Sequence, residues 1–188
     1  MMKEITLGWL EKNDACEESV KWFKAYDGPK EIEHLAEEMI RAGHADWVNW
    51  GIVRIMTKDQ AVEYAVFAAE QVLSVYEAAY PDDDRPRKAI SAATAYLSAV
   101  GRKEGAARAA EAAEAARAAA GAAGAAGAAW AAWAAAGAAR AAGAAWAAEA
   151  AGAAWAAEAA GDAAYNDMLI KIVRHGLEII GQTKEPLP

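Results

Sequence analysis

Between Gly105 and Gly161 the chain is almost entirely alanine, interrupted by a different residue at nearly every third position. The unit Gly-Ala-Ala-Trp-Ala-Ala-Glu-Ala-Ala occurs twice without change, from Gly143 and from Gly152. Alanine is the strongest helix former, so such a tract is helical before any packing is considered. Each interior glycine opposes this by about 1 kcal/mol. The tract therefore reads as two or three helices, with breaks near Gly101 to Gly105, Gly121 to Gly127 and Gly137 to Gly143.

A step of three residues falls about 60° short of a full helical turn. The large side chains consequently wind around the helix. Trp146 and Trp155, nine residues apart, fall on opposite sides, as do Glu149 and Glu158. Helices of this kind are expected to be buried on more than one face and to pack closely through methyl surfaces. Other uses of the tract fit less well. Ala118 to Ala139 carries no charge, but alanine lacks the transfer energy of leucine and Arg140 follows at once, so no membrane span is expected. A polyproline II bundle or flat ice-binding surface would be spoiled by the tryptophans and charges. Disorder is opposed by the same tryptophans.

The 188 residues are enough for one ordinary domain with a sizeable core. A formal charge of −8 makes a nucleic-acid backbone an unsuitable main partner, while a basic protein surface remains a suitable one. A single cysteine, Cys16, forbids an internal disulfide. With an N-terminus that lacks a signal-peptide apolar core, it favours a cytoplasmic setting, in a bacterium or a phage-infected host cell on the resemblance described below.

Taken in order, Thr6 caps a short helix from Leu7 to Lys12, and a second runs from about Glu17 to Ala25. Asp27-Gly28-Pro29 is a turn. Lys30 to Ala42 reads as an amphipathic helix closed by Gly43. In the next segment Trp47, Trp50 and Arg54 fall at spacings of three and four, which gathers them on one helix face. Thr57 and Gln60 form a capping box that opens a helix to about Ala79. Pro81, Asp82, Asp83, Asp84, Arg85, Pro86 and Arg87 make the sharpest local signal. Pro81 ends one helix, the aspartates suit the positive N-terminus of the next, and Pro86 suits its first turn. The second arm of this hairpin is expected to reach Val100, with Ile90, Ala93, Thr94 and Leu97 inward, and Arg85 or Arg87 is expected to pair with acids or helix-end carbonyls. A last helix, from Asp162 to Ile180, carries a strong apolar stripe and is expected against that hairpin. No window alternates as a strand does. The fold class expected is all-α: residues 1–43 a short helical N-terminal extension, 44–181 an alanine-rich helical bundle, and 182–188 a tail.

Catalytic patterns are weak. Glu31-x-x-His34 is half of a di-iron carboxylate motif with no second copy. His44 beside Asp46 reads as a loop pair, His175 as a cation near a helix C-terminus, and Cys16 as a small buried thiol. No phosphate-binding glycine loop is present. No catalytic residue, metal or cofactor is expected. The tryptophans among alanines either fill gaps or form an aromatic pocket. In the second case Trp47, Trp50, Trp130, Trp133, Trp146 and Trp155 supply the rings, and Arg54, Arg140, Glu149 and Glu158 the polar contacts. At least one of Trp146 and Trp155 is expected in the core, because opposite faces of a helix cannot line one monomeric pocket; a homo-oligomer seam along the tract would give each face its own neighbour.

The segments Tyr64-Ala-Val-Phe-Ala-Ala-Glu-Gln-Val-Leu73 and Tyr80-Pro-Asp-Asp-Asp-Arg-Pro-Arg-Lys-Ala-Ile90, followed by an alanine-rich tract, resemble the immunity-protein family of Imm-5-like domains. The resemblance covers about Trp47 to Ile180. It implies a helical, non-enzymatic protein that neutralises a toxin by binding it, or a defence effector if the source is a phage, and it implies no catalytic residues. The alternative is a sponge for a nucleotide signal using the tryptophan and arginine side chains.

Overall fold

Two helices begin at side-chain caps that the sequence announces. The Thr57 hydroxyl accepts the Gln60 backbone N–H at 3.3 Å and the Gln60 side chain accepts the Thr57 N–H at 2.8 Å, a complete capping box. Thr6 Oγ1 accepts the Trp9 N–H at 3.2 Å in the same way. The computed structural model describes residues 4–98, 102–123, 130, 132–137 and 164–181. It shows α1 (Leu7–Lys12), α2 (Glu17–Ala25), α3 (Ile32–Arg41), α4 (Ala45–Ile55), α5 (Lys58–Ala79), α6 (Arg85–Leu97), α7 (Arg102–Ala122), a helical piece at 132–137, and α8 (Tyr165–Gly181). The fold is an all-α helical bundle; among the described residues the one β feature is an isolated bridge between Glu4 and Glu31.

Helix ends follow the same local logic. Asp14, at φ 56°, closes the turn after α1. Gly43, at φ 86°, ends α3; its N–H donates to Ile40 O at 3.0 Å and the His44 N–H to Met39 O at 2.8 Å. This pair of bonds satisfies the last carbonyls of α3 and needs the left-handed backbone that glycine adopts freely.

The packing order departs from the chain order. α3 packs on α4, α4 on α8, α8 on α5, α5 on α6, and α6 on α7. The last helix thus sits between α4 and α5. It was expected against the α5–α6 hairpin, but α6 is instead covered by α7, and the apolar stripe of α8 is consumed by α4 and α5. Gly176 explains the close fit. A Cβ there would lie 2.6 Å from Ile52 Cδ1 and 2.8 Å from the Tyr64 ring. The Gln60 amide that completes the capping box also donates to Ile179 O at 3.1 Å, and Arg174 pairs with Glu37 at 3.0 Å, joining α8 to α5 and α3. α3 therefore belongs to the same core as the bundle, with Leu35, Met39 and Ile40 buried in it.

Other expectations shift. Gly105 does not break the tract but lies inside α7. α7 ends at Ala122, just past Gly121. Along it Ala109, Ala113, Ala116, Ala119 and Ala120 are buried, while Arg108, Glu111 and Glu114 are exposed. The buried positions span about 120° of the helix at 100° per residue, so α7 has one broad packed face and one wet one. Residues 132–137, by contrast, are buried at every position but Trp133. On α6, Thr94 faces solvent and returns its hydroxyl to Ile90 O at 3.0 Å, and Tyr96 takes the inward place. α6 is helical to Leu97, short of Val100. Cys16 is exposed, not buried, because it is the N-cap of α2 and its side chain projects outward. The 182–188 tail lies outside the described residues, as does Asp162.

Gly176→Ala is expected to destabilise the fold by about 1–3 kcal/mol through overpacking against Ile52 and Tyr64. Denaturant unfolding measures it; an unchanged midpoint would show that α8 approaches less closely.

Candidate binding face on α4

α4 turns two different sides to its surroundings. Ala45, Val48, Asn49, Ile52, Val53 and Ile55 are buried. At about 100° per residue the remaining arc carries Asp46, Trp50, Arg54, Trp47 and Gly51 in that order. Trp47, Trp50 and Arg54 are thus neighbours, as their spacing predicts. The Arg54 guanidinium lies over the Trp50 ring, 4.0 Å from its centroid, and donates to the Trp50 carbonyl at 2.7 Å. Trp9 of α1 meets Trp50 edge-on with centroids 5.9 Å apart. Trp47 stacks on His44 at 3.7 Å, its plane within 7° of the imidazole. Both tryptophans of α4 are half-buried, and Arg54 is exposed.

Arg54 makes no ion pair among the described residues. Partial burial against Trp50 lowers its pKa, and the charge of Asp14 opposes that shift. Arg41, Arg85, Arg87, Arg117 and Arg174 each have a carboxylate partner. Arg54 therefore presents a guanidinium held by an aromatic face and outside any ion pair among the described residues.

Trp130 and Trp133 do not join this group. Trp133 lies beside Arg117 of α7, with the guanidinium 5.4 Å from its ring centroid, and Trp130 is 37% exposed. The single pocket expected from the sequence is not formed by the described residues, because α4 packs on α3 and α8 while α7 packs on α6. Arg140, Trp146, Glu149, Trp155 and Glu158 lie outside the described residues.

The Pro81 to Arg87 turn is a closed network. Asp83 accepts the Tyr76 hydroxyl at 2.6 Å, the Arg85 backbone N–H at 3.1 Å and the Arg85 guanidinium at 2.5 Å. Arg87 pairs with Glu77 at 2.6 Å and Lys88 with Asp84 at 2.9 Å. Asp84 is the N-cap of α6 but makes no capping bond with its side chain; Asp83 binds a backbone N–H of the first turn instead. Asp82 is exposed, and Pro86 is buried in the first turn of α6. The Arg85 hydrogen bonds hold the Asp83 carboxyl well below the usual range. Burial, then the bond to Asp83, pushes Tyr76 up to about 12.

Sequence reasoning missed the buried pair Tyr64 and Asn49, whose hydroxyl and amide oxygen are 2.6 Å apart. No spacing rule joins residues on two different helices. Burial raises the Tyr64 pKa far above its ordinary value. The histidines are dispersed. His34 is 3.8 Å from Glu38, His44 is under Trp47, and His175 stacks on Phe67 at 3.8 Å with Glu178 3.4 Å from its Nδ1. No three His, Cys, Asp or Glu side chains gather into a metal-holding group among the described residues. No helix among them is long and apolar enough to cross a membrane.

Asp83→Asn is expected to lower stability by about 2 kcal/mol at neutral pH, by loss of charge-assisted bonds. Because the folded carboxyl has a depressed pKa, its stabilisation is present above the unfolded value near 4 and is lost as pH falls through the folded value. The wild type and Asp83→Asn should therefore converge in acid unfolding curves. Comparison of the chain with protein-family models, with curated proteins and with solved structures gave no match, so its fold and its candidate site rest on the residues themselves.

Proposed function

We propose that the protein is a non-enzymatic binding protein whose α4 face docks on a protein target, acting as an inhibitor of a toxin or, in a phage setting, of a defence effector. The observation that carries this reading is the group of two half-buried tryptophans with a cation–π-held arginine, outside any ion pair among the described residues, on one exposed helix arc. Tryptophan and arginine are enriched among the few residues that dominate the energetics of protein interfaces. An acidic chain of charge −8 suits a basic target. The resemblance of Tyr64 to Ile90 to the Imm-5-like immunity family supports the same class.

Support for binding over catalysis comes from where ionisations are displaced. Asp83, Tyr76 and Arg85 shift within one structural network, Tyr64 by burial, and Glu37 through its hydrogen bond to Arg174. The shifted group at the α4 tryptophans is Arg54, and a guanidinium is neither a nucleophile nor a base at neutral pH.

The sponge reading, a nucleotide stacked on the α4 rings with its phosphate on Arg54, has one favourable observation, the free guanidinium. No second cation is placed beside it, and Arg41, Arg85, Arg87, Arg117 and Arg174 are each paired with a carboxylate.

Affinity capture from cells of the source, with native mass spectrometry of the eluate, tests the proposal. The wild type is expected to retain a protein in fixed stoichiometry. Trp47→Ala/Arg54→Ala should lose it while still unfolding in a single cooperative transition, and Arg54→Ala alone should weaken it with little change in the thermal midpoint. A co-purifying small molecule lost with the same variant would favour the sponge.

A further inference from the structure

The open side of α4 is narrow and ordered. At about 100° per residue, Asp46 lies about 40° to one side of Trp50 and Arg54 about 40° to the other. The three form one ridge of side chains spaced four residues apart. Asp46 and Arg54 are exposed, and Trp50 between them is half-buried. A separation of eight residues, about 12 Å along the axis, keeps the two charges from pairing within the helix. Neither makes an ion pair with any other described residue; Asp14 reaches Arg54 through its charge without bonding to it. An acid in the first turn and a base in the last suit the dipole of α4, which explains one charge at each end. The dipole does not require both charges to stand in line with a tryptophan on the open side.

This order is its own complement. Reversing the ridge about Trp50 exchanges position 46 with position 54. A second α4 laid antiparallel on the first, with a two-fold axis beside Trp50, therefore brings Asp46 of each copy to Arg54 of the other. The two Trp50 rings come side by side at the centre. Every contact in a two-fold interface occurs twice, so one acid and one base per chain give two ion pairs. Ridges of this four-residue kind pack on one another at a crossing angle of about −50°, the commonest class of helix pair in globular proteins. At that angle the two ridges run parallel and both of their ends meet. Two charges of one sign at these positions would make the same approach repulsive.

We infer that this ridge is the seam of a weak two-fold homodimer, in which α4 crosses α4 of a second copy antiparallel, with Asp46 of each copy on Arg54 of the other. The inference goes beyond the docking of a target and uses the same face. The two occupants therefore exclude each other: the second copy covers Trp50 and Arg54 until a target displaces it. The size of the ridge sets the strength. α4 has 11 residues, about three turns. A stable interface takes roughly 800 Å² from each partner, more than the side chains of one such ridge supply, so the dimer is reversible.

Sedimentation velocity of the intact protein over a range of concentrations tests this. The wild type is expected to pass from monomer to dimer as its concentration rises through the micromolar range. Asp46→Arg and Arg54→Asp should each weaken the dimer at least about tenfold, because like charges then meet at both ends. Mixed in equal amounts, the two variants should form a heterodimer, since one ridge then carries two bases and the other two acids. Asp46→Arg/Arg54→Asp in a single chain should dimerise with itself. A merely structural role for either residue would give neither rescue, and a variant that failed to fold could not pair on mixing. A wild type that stays monomeric at submillimolar concentration, a dimer indifferent to both reversals, or two variants that keep their helical circular dichroism yet fail to pair would each overturn the seam. Capture of a target by a chain that never dimerises would leave the α4 docking face standing and reject the seam alone. Dimerisation with charge-swap rescue, but with no protein captured, would uphold the seam and count against the target. A target complex is expected to hold one copy of the chain; two paired copies in it would overturn the sharing of one face.

Discussion

The approach of α8 to α4 and α5 is the contact on which the rest of the structure depends. Gly176 lets the α8 backbone come close to the Tyr64 ring and the Ile52 methyl. Tyr64 is fully buried, and a buried hydroxyl without a partner would cost about 1–3 kcal/mol. Asn49 supplies that partner from α4. One glycine, one ring and one amide thus lock three helices together, and the requirement for the hydrogen bond fixes the rotation of α4 about its axis.

That rotation has a functional consequence. Once Asn49, Ile52 and Val53 face inward, helical geometry places Trp47, Trp50, Gly51 and Arg54 on the opposite arc. The face offered to a partner is therefore set by the core. The N-terminal helices complete it, because Trp9 braces Trp50, and Leu35 and Met39 line a small apolar recess together with Trp47 and Trp50. A short segment that reads as an appendage in the sequence becomes half of the candidate site.

α7 packs on α6, and the residues it buries among those described are all alanine. Small side chains let the two backbones approach, and the one-sided burial leaves Arg108, Glu111 and Glu114 in water, where charge costs little. Arg117 is the exception: it is partly covered and bound to Glu114 at 3.1 Å and to the Trp133 face. An alanine tract can thus supply one side of a packed helix pair while its charges fall on the wet arc.

The helices α1 to α5 were legible nearly to the residue, because caps, prolines and glycines act within four residues of themselves. Thr57 with Gln60, and Gly43 after α3, are local bonds that need no knowledge of the fold. The grouping of Trp47, Trp50 and Arg54 was legible for the same reason, since helical periodicity alone brings them together. The neighbours of α8, the Asn49–Tyr64 pair, the turning of Thr94 outward and the bracing of Trp50 by Trp9 were not. Each depends on which two surfaces meet, and an apolar stripe such as that of α8 fits several grooves until the shapes are known. Local hydrogen bonding and periodicity determined the helices and their faces; the tertiary structure alone decided which faces were paired and which were left for a partner, because steric fit and the satisfaction of buried polar groups are properties of residues far apart in the chain.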